Sequence, residues 1–589
     1  MKKSLAVLLA LVMVLGTLAG CSGDNNSSTA DQSSAAQESS TASEDSTAEE
    51  SAAEESGSTA EGLLDPIENT DGTLQVPRSS YVTYPVEGGG ALEYWMCAAN
   101  NIVGGIGTVD ATAWAQALEE KTGIDITWLT STYGSDKESF ATLTSSNELP
   151  DIVEWEWTNN YTGGPTAAVA DGLLIYLTDY ITSDGPMADL WQFLQDNPHI
   201  DKEVKTDDGQ YYCSPFVRGT KYLQCTSGPI VRADLFEAAG VDIEEMTTID
   251  EWHDALTAVA GVEGVEYPLI TQEWSQLISL MASPFEFRSG MYVDYETGEV
   301  KYGEITEGYR DFVATVQQWR EEGLIDPDLL TVDGNAKTQA MMSGASALCY
   351  GSGGGNLGSY LASVEADPSL YAENIAFDTL NFPVMNEGDT PHYGGTSYDY
   401  ATTSKASAGI TADCENPELA AQFLNYTWTE EGHLIINYGP DYTVDEEGQG
   451  HYSENTMNYA ENGFASLAYS MAAAGRANMS GAFAQDPNYI FEYYTEDVQK
   501  DALYTWNDYQ DSQPTLIPPI TLTQEESSQY STIMTNITTY VESAYGGWFA
   551  LNSNVEDDWD NYVSTLESMG INDAIAIYQA ALDRYNARA

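Results

Sequence analysis

The chain has 589 residues, 42% hydrophobic and 11% aromatic, with 92 acidic against 20 basic side chains and a formal net charge of -72. At roughly 100–200 residues per domain, that length calls for two or more packed bodies. The charge opposes phosphate backbones, whose affinity rests on Lys and Arg displacing counterions, and so excludes nucleic acid; it also repels anionic headgroups, so that membrane attachment would need a covalent lipid and not a basic face.

At the amino end, Met1, Lys2 and Lys3 precede an apolar run from Leu5 to Leu15, then small residues and Cys21. The run falls short of the roughly 20 apolar residues that span a bilayer, so residues 1–20 read as a cleaved export signal. Leu18-Ala19-Gly20-Cys21 resembles a lipoprotein processing box, which implies a lipid such as palmitate on the Cys21 thiol; an ordinary secretory signal beside an incidental cysteine is the other reading. From 21 to 62 the chain is almost wholly Ser, Thr, Ala, Asp, Glu, Gln and Asn, which cannot bury a core and should form an acidic, disordered tether.

The folded part opens with a strand near Ala91–Met96, a turn-rich stretch from Asn100 to Gly107, and a helix from about Asp110 to Lys121. Trp114, Ala117, Leu118 and Lys121 share one side of that helix, and Gly123 stands where a left-handed stop is needed. Ile124, Ile126 and Trp128 alternate as a second strand, completing a βαβ unit with a parallel pair. A further strand, Asp151–Trp155, follows a helix ending near Leu149-Pro150. Thr248-Ile249-Asp250-Glu251 matches a capping box, with Trp252, Leu256 and Val259 as the apolar face of its helix. A short strand around Ser346–Tyr350 runs into Gly351-Ser352-Gly353-Gly354-Gly355. The last seventy residues read as helical: Thr523 and Glu526 form a second capping box for a helix through about Tyr545. A final helix starts near Asn572, with Ile575, Tyr578, Leu582 and Tyr585 on one side. Mixed strands and helices predict α/β lobes. Cys97, Cys213, Cys225, Cys349 and Cys414 are odd in number and scattered, so buried free thiols are expected; a Cys213–Cys225 bridge would need Cα atoms within about 7 Å.

Six segments, Trp114–Ile126, Phe140–Val153, Asp208–Pro215, Val231–Trp252, Met341–Tyr350 and Trp559–Tyr585, together resemble the bacterial extracellular solute-binding proteins of family 1, the carbohydrate-type lipoproteins of ABC importers. The resemblance implies a two-lobe, type II periplasmic-binding-protein-like α/β fold with a solute cleft at the hinge. By analogy, 88–226 with 391–440 make the first lobe and 227–390 the second, while a largely helical 441–589 completes the second. It further implies a monomer on the outer face of the cell membrane that captures a sugar or oligosaccharide and delivers it unaltered to permease subunits, with no catalysis; no cofactor or metal ligand is assigned.

A sugar site needs aromatic faces and hydrogen-bonding polar groups. Trp155, Trp157, Asn159 and Tyr161 follow a strand, where ligands of open α/β sheets bind. Trp274 in the second lobe is placed to close over a solute. Tyr398 and Asp399 follow Gly394-Gly395 where the chain returns across the hinge, and Arg232 is one of few cations. Each has a plainer reading: core packing for the rings, a stiffened crossover for Tyr398 and Asp399, a salt bridge for Arg232. Gly353, Gly355 and Gly358 fit G-x-G-x-x-G without the flanking acidic residue or Lys-Ser/Thr of nucleotide loops, so a flexible cleft loop is expected. The five histidines are far apart, and no H-E-x-x-H, Cys-x-x-Cys or G-x-S-x-G occurs. Competing functions are binding of a peptide or other small solute, a secreted glycoside hydrolase with two flanking carboxyls, and a purely structural surface protein.

Overall fold

Alternation of Ile124, Ile126 and Trp128 with Asp125 and Thr127 produces a strand buried on one side, as the pattern requires. It belongs to the computed structural model of the chain, which describes residues 80–588 apart from 147, 219–220, 394–406, 447, 509–510 and 512. The export signal, Cys21, the tether, Tyr398 and Asp399 lie outside the described residues. Eight strands form the two main sheets: β1 (Gly90–Met96), β2 (Ile124–Thr130), β3 (Ile152–Trp155), β4 (Ser227–Arg232), β5 (Leu269–Ile270), β6 (Leu348–Ser352), β7 (Phe377–Thr379) and β8 (Ser407–Ile410). The helices used below are α1 (Ala113–Thr122), α2 (Asp136–Thr144), α3 (Ile249–Val259), α4 (Trp274–Met281), α5 (Asp497–Asp508), α6 (Gln524–Phe549), α7 (Val555–Met569) and α8 (Ile571–Asn586).

The first sheet has the order β8-β3-β1-β2. β1 runs parallel to β2 from Gly90 opposite Ile124 to Met96 opposite Thr130, and parallel to β3 at Tyr94 and Ile152; β8 is antiparallel to β3. The β1–α1–β2 unit is the expected one, although α1 starts at Ala113 because Val109–Ala111 forms a 3-10 turn first. Thr112 accepts the Ala115 amide at the start of α1, and Gly123, at φ 72°, ends it. The second sheet has the order β7-β4-β6-β5, with β4 antiparallel to both neighbours and β5 parallel to β6.

Each sheet anchors its own core. In the first lobe Tyr94, Trp114, Trp128, Phe423 and Trp428 are buried together. In the second, Trp252, Phe312 and Trp319 share a core with Trp548, Tyr562 and Tyr578 from α6, α7 and α8. This is a two-lobe α/β architecture. Part of the expected second-lobe section packs elsewhere: Ala482–Ala484 enter the first-lobe core, and Ala484–Gln485 pair with Val217–Arg218. Arg476 helps to hold it there: its two terminal nitrogens each meet a Glu154 oxygen of β3 at 2.9 Å. A buried guanidinium requires a buried carboxylate, and Glu154 supplies it. The five described cysteines form no disulfide, and Cys213, Cys225 and Cys349 are buried.

The chain crosses between the lobes after Val217–Arg218, between β7 and β8, and between Gln485 and α5. The first crossing enters β4 opposite Ser352 at the end of β6, and the second reaches β8 opposite Trp155 at the end of β3. The carboxyl ends of β1, β2, β3, β5 and β6 therefore face the space between the lobes, the side of an open α/β sheet that binds ligands.

Candidate functional site

A groove of about 500 Å³ opens at the carboxyl ends of β1 and β2, between the sheet and α2. Its walls are set by local chemistry. Ser131, just past β2, accepts the Ala98 amide at 2.8 Å and donates to Asp136 in the first turn of α2. The Thr132 amide donates to the Ser139 hydroxyl at 3.1 Å. These bonds tie the start of α2 to the strand ends. Ser135, Glu138, Ser139 and Thr142 then recur at helical spacing and line one wall, with Thr130 and Thr132 at the mouth and Trp95 and Leu143 behind. The groove offers five hydroxyls and one carboxylate, a set that hydrogen-bonds a polyhydroxylated molecule, while Trp95, as buried as Trp155, backs the wall. No Arg or Lys is among the described residues lining it.

The predicted tryptophans support this groove without lining it. Trp155 stacks on Phe140 of α2 at 4.2 Å and 8°, and Trp157 meets the edge of the same ring at 5.6 Å; both indoles are buried. The expectation that they face a solute is corrected here: Phe140 covers them, and they form an aromatic floor with Trp95. Asn159 is exposed and donates to Glu156 at 2.8 Å. Tyr161 donates to Asp171 at 2.7 Å, and burial followed by that carboxylate pushes its phenol pKa up. Neither belongs to the groove wall.

Trp274 is also corrected. It begins α4 buried in the second-lobe core, flat on Tyr545 at 4.9 Å and 2°, with Phe312 and Phe549 at its edges. It is too enclosed to close over a solute. Arg232 takes its plainer role: Nε and Nη2 donate to Asp234 at 2.8 and 2.7 Å, and Nη1 to the Met341 carbonyl at 2.6 Å.

Across the interlobe space, β6 runs into the glycine-rich stretch. Ser352 accepts the amides of Gly355 and Asn356 at 3.1 and 3.2 Å. A Cβ on Gly354 would lie 2.9 Å from the Tyr493 ring, and one on Gly353 2.8 Å from the Tyr494 hydroxyl. These glycines are therefore notches that seat two tyrosines of the third crossing. The groove hydroxyls were missed because a Ser, Glu, Ser, Thr helix face reads in sequence as an ordinary solvated one.

Among the described residues, no group of three or more His, Cys, Asp or Glu could hold a metal ion, and no helix is long and apolar enough to cross a membrane. Residues 107–433 match the family described as bacterial extracellular solute-binding protein. The fructooligosaccharide ABC transporter substrate-binding protein FusA of Streptococcus pneumoniae is 22% identical over 505 residues, covering 80% of this chain and 87% of its own. The structure of FusA in complex with kestose matches with a TM-score of 0.64 at 18% identity, over 85% of this chain and 100% of that one. An HMO-binding, ABC-transporter-associated solute-binding protein from Bifidobacterium longum infantis gives a TM-score of 0.65 at 16% identity, over 85% and 99% of the two chains.

Proposed function

The chain belongs to the bacterial extracellular solute-binding protein family, and from that membership we propose that it captures an oligosaccharide between its lobes and passes it unaltered to an ABC-type permease. The observation that carries this reading is the groove at the ends of β1 and β2, lined by Thr130, Thr132, Ser135, Glu138 and Ser139. Hydroxyls and a carboxylate replace water around sugar hydroxyls, and the aromatic floor keeps the wall rigid, which lowers the ordering cost of binding. The relatives' ligands, a fructooligosaccharide and kestose, are polyhydroxylated sugars of the class this groove suits.

Hydrolysis would require two carboxyls on either side of one bond, about 5–9.5 Å apart. Among its described residues the groove wall carries one carboxyl, Glu138, and recovery of intact or cleaved sugar separates the two readings. Attachment through a lipid on Cys21, with the acidic segment as tether, completes the reading: the lobes stay near the permease without touching the repelling membrane surface.

The test is a titration of intrinsic tryptophan fluorescence with fructooligosaccharides, other neutral oligosaccharides and short peptides, with the recovered sugar analysed for cleavage. Saturable quenching or enhancement by one saccharide class, weakened at least several-fold by Glu138→Gln, is expected. A response to peptides alone, or cleaved sugar, would overturn the proposal.

A further inference from the structure

The groove wall carries a charge that its neighbours do not cancel. Glu138 of α2 lines the groove and is exposed, and among the described residues no donor or cation engages its carboxylate. The acidic groups around it are engaged. Asp136 accepts the Ser131 hydroxyl, Glu156 accepts the side-chain amides of Asn159 and Asn160 at 2.8 and 2.5 Å, and Glu154 is paired with Arg476.

Cations do not make up for it. Because α2 gathers Ser135, Glu138, Ser139 and Thr142 on one face, Lys137 falls on the opposite one. Elsewhere in the first lobe Lys121 pairs with Glu431, Lys205 with Asp201 and Arg476 with Glu154. In the second lobe Arg232 and Lys337 are both buried, the first on Asp234 and the second donating to the Tyr350 carbonyl of β6 at 2.8 Å. A carboxylate entering the groove therefore meets like charge at Glu138, and none of these cations is placed to receive it.

Distance decides which acidic group matters. The Debye length is about 8 Å in physiological salt, so most of the 92 acidic side chains act on a bound solute only through a screened field. Glu138 lines the groove itself, where a like charge in contact lowers affinity about tenfold or more. A sugar hydroxyl in the same place instead donates to the carboxylate, in a charge-assisted bond stronger than a neutral one.

We propose that Glu138 makes the groove charge-selective, so that it holds neutral oligosaccharides and rejects those that carry a carboxylate. The inference rests on the oligosaccharide-capture reading and narrows its substrate class. One side chain supplies both halves of the discrimination, a hydrogen bond to the right ligand and a repulsion against the wrong one.

The test uses the purified full chain and matched sugars. Fructo-, malto- and galacto-oligosaccharides are titrated by tryptophan fluorescence, and the neutral compound that binds is compared with its own derivative, its primary hydroxyls oxidised to carboxylates. The wild type should hold the oxidised form at least about tenfold more weakly than the parent at about 0.1 M salt, and the gap should narrow at about 1 M. Glu138→Lys should bind the oxidised form at least about tenfold more tightly than the wild type does, which loss of a hydroxyl contact alone would not produce. Glu138→Gln, the milder change, should weaken the parent several-fold and bring the two forms closer together, whereas a merely structural role would weaken both alike. Circular dichroism and thermal midpoints check that the variants fold. Equal affinity of the wild type for the two forms, or a folded Glu138→Lys that discriminates as the wild type does, would overturn charge selection and leave oligosaccharide capture in place. If no neutral oligosaccharide binds, capture itself fails and this inference with it.

Discussion

Arg476 and Arg588 each bring a guanidinium to a carboxylate distant in sequence, but into different surroundings. Arg476 meets Glu154 inside the first lobe, with side chains 5% and 2% exposed. The Tyr94 hydroxyl donates to the same carboxylate at 2.6 Å, and the Trp114 ring lies 5.1 Å from the guanidinium carbon. Burial by itself would lower the Arg476 pKa, but the Glu154 charge and hydrogen bonds outweigh it, so the guanidinium is held above its ordinary range. Tyr94 is pushed up, by burial first and by Glu154 second. Arg588 is as buried as Arg476, yet its partner Asp207 keeps a quarter of its side chain in water. An ion pair buried on both sides cannot part without stranding two charges, whereas one with a wetted member can separate and rehydrate. The first pair is sealed from water on both sides, and the second is wetted at its carboxylate.

The largest effect should come from Glu154→Ala, which leaves Arg476 charged and unpaired in the core. A loss of about 3–5 kcal/mol is expected in urea unfolding. A loss under about 1 kcal/mol would erase the distinction between the two pairs.

An uncharged counterpart sharpens it. A Cβ on Gly228 of β4 would stand 2.3 Å from the Trp506 indole nitrogen, where α5 fastens the third crossing to the second lobe. Gly228→Ala should cost about 1–3 kcal/mol through overpacking, seen as a lowered thermal midpoint. Asp207→Asn should cost less than Glu154→Ala, about 1–3 kcal/mol, because the amide oxygen can still accept from Arg588 although that guanidinium is buried.

The smallest effect belongs to a carboxylate fastened only to its own helix. The Thr248 amide and the Thr247 hydroxyl hold Glu251, at the start of α3, down to a pKa of about 2. Its contribution is present above the ordinary carboxylate range and is lost as pH falls from about 4.5 toward 2. Thr248→Ala should remove about 1 kcal/mol and return the Glu251 titration, followed by NMR, toward the usual range.

What could be read from sequence follows the same division between local and distant partners. The capping boxes at Thr248–Glu251 and Thr523–Glu526 both form, because their partners are three residues apart. Gly123 stops α1 for an equally local reason. Trp155, Trp157 and Trp274 were open to two readings, since the rings that bury them, Phe140 and Tyr545, come from other helices. The placement of Ala482–Ala484 in the first lobe is held in part by Arg476 reaching Glu154, and only the scarcity of cations in an acidic chain hinted at such a tie. The groove left no hint, because hydroxyls on a helix look alike whether they face a ligand or bulk water.

The three fully enclosed thiols have a chemical consequence for a protein of an extracytoplasmic family. Burial pushes the Cys213 pKa up to about 12, so almost none of it is the thiolate that oxidants and alkylating reagents attack. These three thiols are therefore shielded from oxidants by packing alone, whereas Cys97 and Cys414 are only half-buried. The same shielding makes covalent labelling of Cys213 a stopwatch for unfolding, silent until the first lobe opens.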